Sequence, residues 1–287
     1  MHRTTDQIER ALGDWARARL PFALAEFAMF GLKQAWACLF GGLLLGALLV
    51  TKSIWQPDWP LHRYDALFLF ALTVQALFLW ARLETWAEAR VILLFHLTGT
   101  VMEWFKVGAG SWVYPEPGLF KILNVPLFSG FMYASVGSYM ARVIRLFAMR
   151  FAPYPPFWST ILLALAIYAN FFAHHFLPDM RLGLFAATLL LYARTRIWFR
   201  IAQHDYRMPL PLAAFFTSGF LWLAENIGTR TGTWLYGGQH QGQMVSLAKI
   251  GSWYLLLYVS FVTVTLVVRD PLRESRARPE PQPAPQA

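Results

Sequence analysis

The chain has 287 residues, of which 57% are hydrophobic, 17% aromatic and only 14% charged. The apolar residues lie in blocks long enough to cross a bilayer, and not in the stripes of a soluble amphipathic helix. This composition excludes an ordinary soluble domain, which would have too few polar residues to cover its surface. It predicts a protein embedded in a membrane.

Residues 1–25 precede the first apolar block and are predicted to form a separate arm. Ile8, Leu12 and Trp15 recur at helical spacing, which favours an amphipathic helix lying along the membrane face. A solvated arm fits the same residues. The first twenty residues are charged and contain no continuous apolar core, so no cleavable signal peptide is expected.

Eight apolar segments follow, and they predict an all-α fold, a polytopic bundle of about eight transmembrane helices. Glu26 and Lys33 fall in the opening turns of the first segment, so its start is the least well defined. No segment carries a Gly or Pro interruption near its middle. The segments cover roughly 26–50, 64–82, 90–108, 122–147, 157–176, 180–199, 209–228 and 246–268.

Lysine and arginine are concentrated in alternate connections. Arginines cluster before the first segment, after the fourth, between the sixth and seventh, and after the eighth, whereas the other connections carry few basic residues. By the positive-inside rule both termini are predicted to be cytoplasmic. The net charge of +9 is therefore mainly a topology signal. Nucleic-acid binding is not expected, because no soluble segment interleaves basic and aromatic residues.

Two stretches repeat the pattern E-x6-G-[ST]-W-x-Y, from Glu103 to Tyr114 and from Glu225 to Tyr236. Each stretch ends the third segment of a four-segment half. Since four is an even number, both halves enter the membrane from the same side, as parallel copies related by an axis along the membrane normal. The predicted units after the arm are repeat 1 over 26–150, repeat 2 over 151–270, and a disordered, Pro-rich cytoplasmic tail over 271–287.

Glu103 and Glu225 are the main candidates for chemistry. With a rise of about 1.5 Å per residue, both acids should lie about 20 to 24 Å from the inner ends of their helices, near the outer leaflet. A carboxyl group there can hold a proton or bind a cation. The alternative is a structural ion pair, of Lys106 with Glu103 and of Arg230 or Lys249 with Glu225.

Histidines form the second candidate group. His174 and His175 close the fifth segment and point about 100° apart, so they cannot both chelate one metal from a regular helix. One of them is expected to assist proton transfer. His96 precedes Glu103 by two turns and would orient it. A Glu/His set with Asp179 would suit a hard or borderline metal. The repeated His boxes of membrane di-iron hydroxylases are missing, however, and no metal site is predicted.

The aromatic residues of the motifs are expected at the membrane interface, where aromatic belts are common. Gly110 and Gly232 indicate a backbone turn that would fold these aromatics over the helix ends, as a roof above the acids. The residues predicted to line the site are His96, Lys106, Trp112, Tyr114, Asp179, Arg181, Trp234, Tyr236 and Lys249.

Small residues predict where helices approach closely. In the fourth segment they recur at intervals of three and four, which provides a face for a second backbone: Gly130, Ala134, Gly137, Ser138 and Ala141. Gly42 and Gly46 make a shorter version of this face in the first segment. Cys38 is the single cysteine, so no intrachain disulfide is possible.

The chain resembles the YoaT-type family of bacterial integral membrane proteins, a domain of unknown function. The resemblance rests on Glu103–Tyr114 with Pro115 and Glu116, Val125–Tyr139, Asn170–Phe176 with Asp179 and Arg181, and Gly232–Tyr236 followed by Lys249. It implies a membrane protein with no established activity. A Glu followed by Gly and an aromatic pair at a helix end is also similar to membrane carotenoid hydratases and lycopene cyclases.

The preferred hypothesis is a membrane-embedded enzyme that acts on an apolar lipid or isoprenoid, with Glu103 and Glu225 in acid/base roles. One alternative is a proton, cation or small-solute transporter that uses the same acids. The lack of a broken segment and of an acid at the membrane midplane speaks against it. A scaffold or assembly factor is the third possibility. The sequence names no cofactor, substrate or oligomeric state.

Overall fold

The structure, a computed structural model of the chain, describes residues 2–174, 176–202, 204–240 and 242–273. Helices dominate it. They are α1 His2–Arg19, α2 Phe22–Ala37, α3 Leu39–Ile54, α4 Arg63–Trp80, α5 Trp86–Gly108, α6 Phe128–Leu146, α7 Phe157–Ala173, α8 Arg181–Tyr192, α9 Leu210–Arg230, α10 Ala248–Val267 and α11 Asp270–Arg273. The strands are β1 Trp112–Val113, β2 Lys121–Ile122, β3 Val125–Pro126, β4 Arg150–Ala152, β5 Arg196–Arg200, β6 Asp205–Pro209 and β7 Leu235–Tyr236.

Four helices within the described residues are long and apolar enough to cross a membrane: α4, α5, α9 and α10. The count rises to five if α2 and α3 form one span, and α7 and α8 are apolar but shorter. Large apolar side chains also cover the outside of the bundle; Trp80 and Leu190, for example, are 82% and 80% exposed. A mostly helical protein with membrane-compatible helices is therefore confirmed.

The first predicted segment is interrupted, which the sequence did not indicate. α2 and α3 meet at Cys38 with a bend of 68°. The prediction of unbroken segments rested on the lack of Gly or Pro near their middles, and it is wrong here. Lys33, one turn before the bend, is buried, and its ammonium donates to the carbonyls of Leu146 (3.0 Å) and Arg200 (3.3 Å).

The sixth predicted segment, 180–199, is wrong at its end. α8 stops at Tyr192, and residues 196–200 form β5, the central strand of a three-stranded antiparallel sheet with β4 and β6. Along β5, Ile197 and Phe199 are buried while Arg200 is exposed. This alternation has the period of a strand and not of a helix. The predicted all-α fold also lacks two short antiparallel sheets that the structure contains, β1–β7 and β2–β3.

The close approach predicted along α6 is confirmed against α5. A Cβ atom on Gly130 would lie 2.8 Å from the His96 carbonyl oxygen, and one on Gly137 would lie 2.7 Å from the Phe95 ring. No larger side chain fits at either position without displacing α5.

The second predicted seam, in α3, is wrong. A Cβ atom on Gly42 or Gly46 would meet nothing within 4 Å. Gly42 instead faces a cavity.

The two ends of the chain are described only in part. The arm is helical over α1, where Leu12 and Trp15 are exposed. The side chain of Ile8 and residues 274–287 of the predicted tail lie outside the described residues.

A buried ion pair joins the α4–α5 turn to α6. Arg142 and Glu84 bond at 2.7 Å with both side chains 0% exposed, and Ser138 and Gln75 also donate to the Glu84 carboxylate. Removing one partner of such a pair leaves an uncompensated buried charge. This ion pair was not predicted from the sequence. It fixes the first turn of α5, at the opposite end of the helix from Glu103.

Candidate functional site

The two motifs end their helices in the same way. After α5, Gly110 has φ +71°, and the next amide donates to the Lys106 carbonyl at 2.9 Å. After α9, Gly232 has φ +65°, and the next amide donates to the Gly228 carbonyl at 3.0 Å. Both are Schellman caps, in which glycine adopts the left-handed conformation at no steric cost. The turn predicted from the glycines is confirmed, and it sends the chain back over the helix end.

The strands that follow these caps pair with each other. β1 and β7 are antiparallel, with Trp112 opposite Tyr236 and Val113 opposite Leu235. Val113 and Leu235 occupy the same place in the two motifs, so the pairing is centred on equivalent residues. A local two-fold axis through this pair would exchange one motif with the other.

Glu103 is held by three hydrogen-bond donors. Its Oε2 accepts from Trp112 Nε1 at 2.7 Å and from the Tyr114 hydroxyl at 2.9 Å, and its Oε1 accepts from the Tyr133 hydroxyl at 2.7 Å. The residue is 1% exposed. Donors that converge on both oxygens stabilise the charged form of a buried carboxyl group.

Glu225 has a different arrangement. The Tyr236 hydroxyl donates to its Oε1, and the Trp253 indole lies beside the carboxyl group. Its Oε2 is buried and has no hydrogen-bond partner among the described residues. One oxygen of Glu225 therefore remains available to a molecule in the site.

The two motif tryptophans account for part of this difference. Trp234 packs so closely on α9 that a Cβ atom on Gly228 would lie 1.8 Å from its ring. The residue that corresponds to Gly228 in the first motif is Lys106, which leaves no such space on α5. Trp112 instead donates to Glu103, whereas Trp234 makes no bond to Glu225 in the described part of the chain.

A cavity of about 730 Å³ begins at the two glutamates. It follows α9 from Glu225 to Ala213, a distance of about 18 Å at the helical rise. Its walls come mainly from α2, α3, α6, α9 and β5, with Met149 from the turn between α6 and β4. They are mainly apolar and include Leu44, Leu48, Ile197, Phe216 and Phe220. The site therefore suits a long apolar molecule whose end, or one of whose bonds, meets two acids.

Two tyrosines of the site stay neutral. Burial raises the pKa of Tyr114 well above its ordinary value, and the charge of Glu103 adds to the effect. Burial and the charge of Glu225 likewise raise the pKa of Tyr236. Both hydroxyl groups therefore keep their protons and act as donors to the glutamates.

The first residues of α4 form hydrogen bonds with both motif loops, which are the segments between α5 and α6 and between α9 and α10. Arg63 donates to Glu116 at 2.8 Å and to the Thr233 hydroxyl at 3.0 Å, and the Tyr64 hydroxyl donates to the Thr233 carbonyl at 2.7 Å. Asp65 accepts two backbone amides of the loop after the first motif, each at 2.8 Å. Arg63 was not among the residues predicted for the site, although an Arg-Tyr-Asp sequence that opens an apolar helix is a usable signal.

Tyr133 and Trp253 are site residues that the sequence analysis missed. They stand at matching places in the two halves, eight residues after Val125 and Val245, each of which opens a Val-x-Leu sequence. Extending the comparison of the halves beyond the motifs would have found them. Tyr133 donates to Glu103, and Trp253 lies beside Glu225.

The structure brings together only part of the predicted site. One group of predicted residues lines the cavity: Glu103, Trp112, Tyr114, Glu225, Trp234 and Tyr236. His96 does not join this group, since its ring lies 4.4 Å from that of Phe131 and it is not among the described donors to Glu103.

The ion pairs considered for the glutamates are not formed among the described residues. Lys106 donates to the Phe171 carbonyl at 2.5 Å and is not paired with Glu103. Arg230 is exposed, and the Lys249 ammonium stands 3.9 Å above the Tyr236 ring. Neither cation lies within ion-pair distance of Glu225.

The other predicted site residues lie together at the ends of α5, α7, α8 and α10, outside the cavity lining. The His174 ring contacts the Asn170 carbonyl at 3.1 Å, and Asp179 pairs with Arg181 at 2.5 Å. His175 lies outside the described residues. No group of three His, Cys, Asp or Glu side chains suited to a metal ion occurs among the residues that are described.

Comparison with known proteins identifies the family. The profile described as "Protein of unknown function (DUF817)" matches residues 26–261. The chain is 42% identical over 243 residues to "Uncharacterized protein YoaT" of Bacillus subtilis (strain 168), a match that covers 84% of this chain and 91% of that protein. No solved structure matches the chain. The residues matched include both glutamates and both motifs, and the chain belongs to the DUF817 family, as the resemblance to YoaT-type proteins predicted.

Proposed function

We propose that this protein is a membrane-embedded enzyme that carries out acid/base chemistry on an apolar lipid or isoprenoid. The observation that supports the proposal is a long apolar cavity that ends at two buried carboxyl groups with unlike hydrogen bonding. Glu103 has donors on both oxygens, whereas Glu225 keeps one oxygen without a partner among the described residues. Two acids in different environments are suited to different roles.

Glu225 is the proton donor in this proposal. Its Oε2 transfers a proton to one carbon of a double bond; the π electrons form the new C–H bond, and the neighbouring carbon becomes a cation. Glu103 is the carboxylate that stabilises that cation in this proposal, with three hydrogen-bond donors on its oxygens, and the nearby aromatic rings add cation–π attraction. Loss of an adjacent proton to Glu225 restores the acid and gives an isomerised product. Alternatively, a water oxygen bonds to the cationic carbon and one of the water protons passes to Glu225, which also restores the acid and gives an alcohol.

The proposal includes the way the protein lies in its membrane. Eight crossings of a bacterial inner membrane, arranged as two parallel four-helix repeats, would leave both termini in the cytoplasm. The pairing of equivalent motif residues in β1 and β7 supports a two-fold relation between the halves. The glutamates would then lie near the outer leaflet, and a substrate would enter the cavity from the bilayer.

A transporter of protons, cations or small solutes is the second candidate function. The bend between α2 and α3 favours it, because broken spans often line transport sites. Against it, the cavity walls are mainly apolar and both acids lie at one end of the cavity.

Lipid profiling separates the two functions and does not require the substrate to be identified first. A strain lacking the gene is complemented with the wild type, Glu225→Gln or Asp58→Asn, a control at an exposed acid outside the cavity lining. An enzyme is expected to change specific isoprenoid or lipid species, which the wild type and the control restore and Glu225→Gln does not. Unchanged lipids with altered solute uptake would refute the enzyme.

A further inference from the structure

Three cations from three helices meet outside the cavity. They are Lys106 of α5, Arg181 of α8 and Lys249 of α10. Arg181 Nη1 lies 3.4 Å from the hydroxyl of Ser252, which stands one turn after Lys249 on α10. The positive charges of Lys249 and Arg181 both act on Lys106. The three side chains therefore form one electropositive site.

This site has more positive than negative charge among the described residues. Asp179 is the acid paired with Arg181, at 2.5 Å. Lys106 is 2% exposed and lies beneath the surface, bonded to the Phe171 carbonyl. Arg181 is 41% exposed, and Lys249 is partly exposed. An anion at the surface can thus reach Arg181 and Lys249, while Lys106 adds attraction from below.

An apolar groove of about 220 Å³ leads away from the cations. It is lined by α5, α7 and α10 with part of α6, and it ends near the cations because Met102 precedes Lys106 by one turn and Trp253 follows Lys249 by one turn. Along α10 it extends from Trp253 to Leu266, about 20 Å at the helical rise. Leu165 and Leu266 at its rim are 59% and 43% exposed, so the groove opens on the outside of the bundle.

We propose that Arg181 and Lys249 bind the phosphate of an anionic phospholipid whose acyl chain lies in the groove between α5, α7 and α10. Charge complementarity selects the head group, and the groove beside it selects a molecule with a long apolar tail. A free phosphate would leave the groove empty, and an acidic peptide would place polar backbone against apolar walls. The groove shares Tyr133, Val136 and Trp253 with the lining of the glutamate cavity, but lipid binding there does not depend on the chemistry proposed for the glutamates.

Native mass spectrometry of the purified protein tests the proposal. The protein in neutral detergent is incubated with equal amounts of dioleoylphosphatidylglycerol and dioleoylphosphatidylcholine, and the lipid retained is identified. The wild type is expected to retain the anionic lipid preferentially. Arg181→Gln or Lys249→Gln should each reduce that preference about fivefold. Thr98→Trp, at the exposed rim of the groove, should reduce retention of both lipids.

Arg200→Gln is the matched control, because Arg200 is an exposed arginine paired with an aspartate, Asp205, at 2.7 Å. It should retain the wild-type preference. Glycerol 1-phosphate, which carries the head-group charge without a tail, should not displace the lipid at equal concentration. Equal retention of the two lipids by the wild type, an unchanged preference in both cation variants, or full displacement by glycerol phosphate would each overturn the proposal. Gel filtration of each variant checks that it is folded.

Discussion

Glu103 and Glu225 occupy equivalent places in two motifs but have unlike surroundings. Glu103 accepts hydrogen bonds on both oxygens, and Glu225 on one. The motif sequences do not predict this difference in hydrogen bonding, because both contain a tryptophan and a tyrosine at the same spacing from the glutamate. It arises from neighbours that differ between the halves, such as Lys106 in place of Gly228.

Replacing each glutamate with glutamine should therefore give two different results. Glu225→Gln removes the proton donor and should lower turnover by about 10²- to 10⁴-fold, with little change in stability. Glu103→Gln places an amide NH2 where three donors converge, so it should lower the free energy of unfolding by about 1–3 kcal/mol. Product analysis and thermal unfolding in detergent measure the two effects. Equal losses of stability would contradict the unlike roles.

The site tyrosines predict a stability change at high pH. The folded-state pKa of Tyr114 and of Tyr236 is raised by burial and by the nearby glutamate, so both remain protonated when tyrosines of the unfolded chain begin to ionise near pH 10. The contribution of these residues to stability is full below that pH and is lost as the pH rises further. The free energy of unfolding should thus fall above pH 10, and less steeply in a Tyr114→Phe, Tyr236→Phe double variant. Unfolding in detergent across pH 8 to 11 tests this, and identical slopes would contradict it.

The site residues that could be predicted from the sequence are those of the two motifs, because within each motif they lie close together along the chain. The acid, glycine, tryptophan and tyrosine of each motif are contiguous, and the structure brings them together at the cavity. Tyr133, Trp253 and Arg63 come from other helices, so the local pattern gave no reason to select them. Lys106 lies within the first motif and His174 follows the end of α7, yet neither side chain lines the cavity.

At the scale of elements, the capping glycines decide how each motif loop returns to its acid. Any other residue at position 110 or 232 would have to adopt a positive φ, which costs an L-amino acid about 1–2 kcal/mol. Gly110→Ala and Gly232→Ala should each lower the free energy of unfolding by about this amount and weaken the tyrosine bonds to the glutamates. Thermal unfolding of the purified variants is the measurement.

Gly183→Ala provides the matched comparison for these variants. Gly183 lies in α8, and a Cβ atom there would meet nothing within 4 Å. Alanine favours the helix over glycine, so this change should leave stability unchanged or raise it slightly. A similar loss in all three variants would mean that the conformation of the caps is not the cause.

The hydropathy pattern predicts the position of most helices correctly. It is wrong where the backbone changes direction but the sequence stays apolar. α4, α7, α9 and α10 begin and end close to their predicted limits. The α2–α3 bend at Cys38 has neither Gly nor Pro at its centre, and the apolar centre of β5, from Ile197 to Phe199, was assigned to the preceding helix. The two-residue alternation along β5 is one of burial and could not be seen in the sequence, where Ile197, Trp198 and Phe199 form a continuous apolar run.

At the scale of the whole molecule, the two halves meet through their motif loops. β1 pairs with β7 on equivalent residues, and Arg63 joins the loop after the first motif to Thr233 in the second. The fold therefore holds the two loops on one side of the protein. If the halves are parallel repeats of four crossings each and both termini lie in the cytoplasm, that side is the outside of the cell, and the connection after α8 is on the inside.

Cysteine labelling tests this topology in intact cells. In a Cys38→Ser background, Leu119→Cys and Met244→Cys place single thiols in the two motif loops, at positions 75% and 60% exposed. Arg194→Cys places one in the connection after α8, where the side chain is exposed. A membrane-impermeant maleimide should label the first two from outside and the third only after permeabilisation, because charged reagents do not cross the bilayer. Labelling of Leu119→Cys and Met244→Cys from opposite sides would contradict the β1–β7 pairing. Labelling of both only after permeabilisation would keep the pairing and reverse the orientation that the arginine distribution predicts.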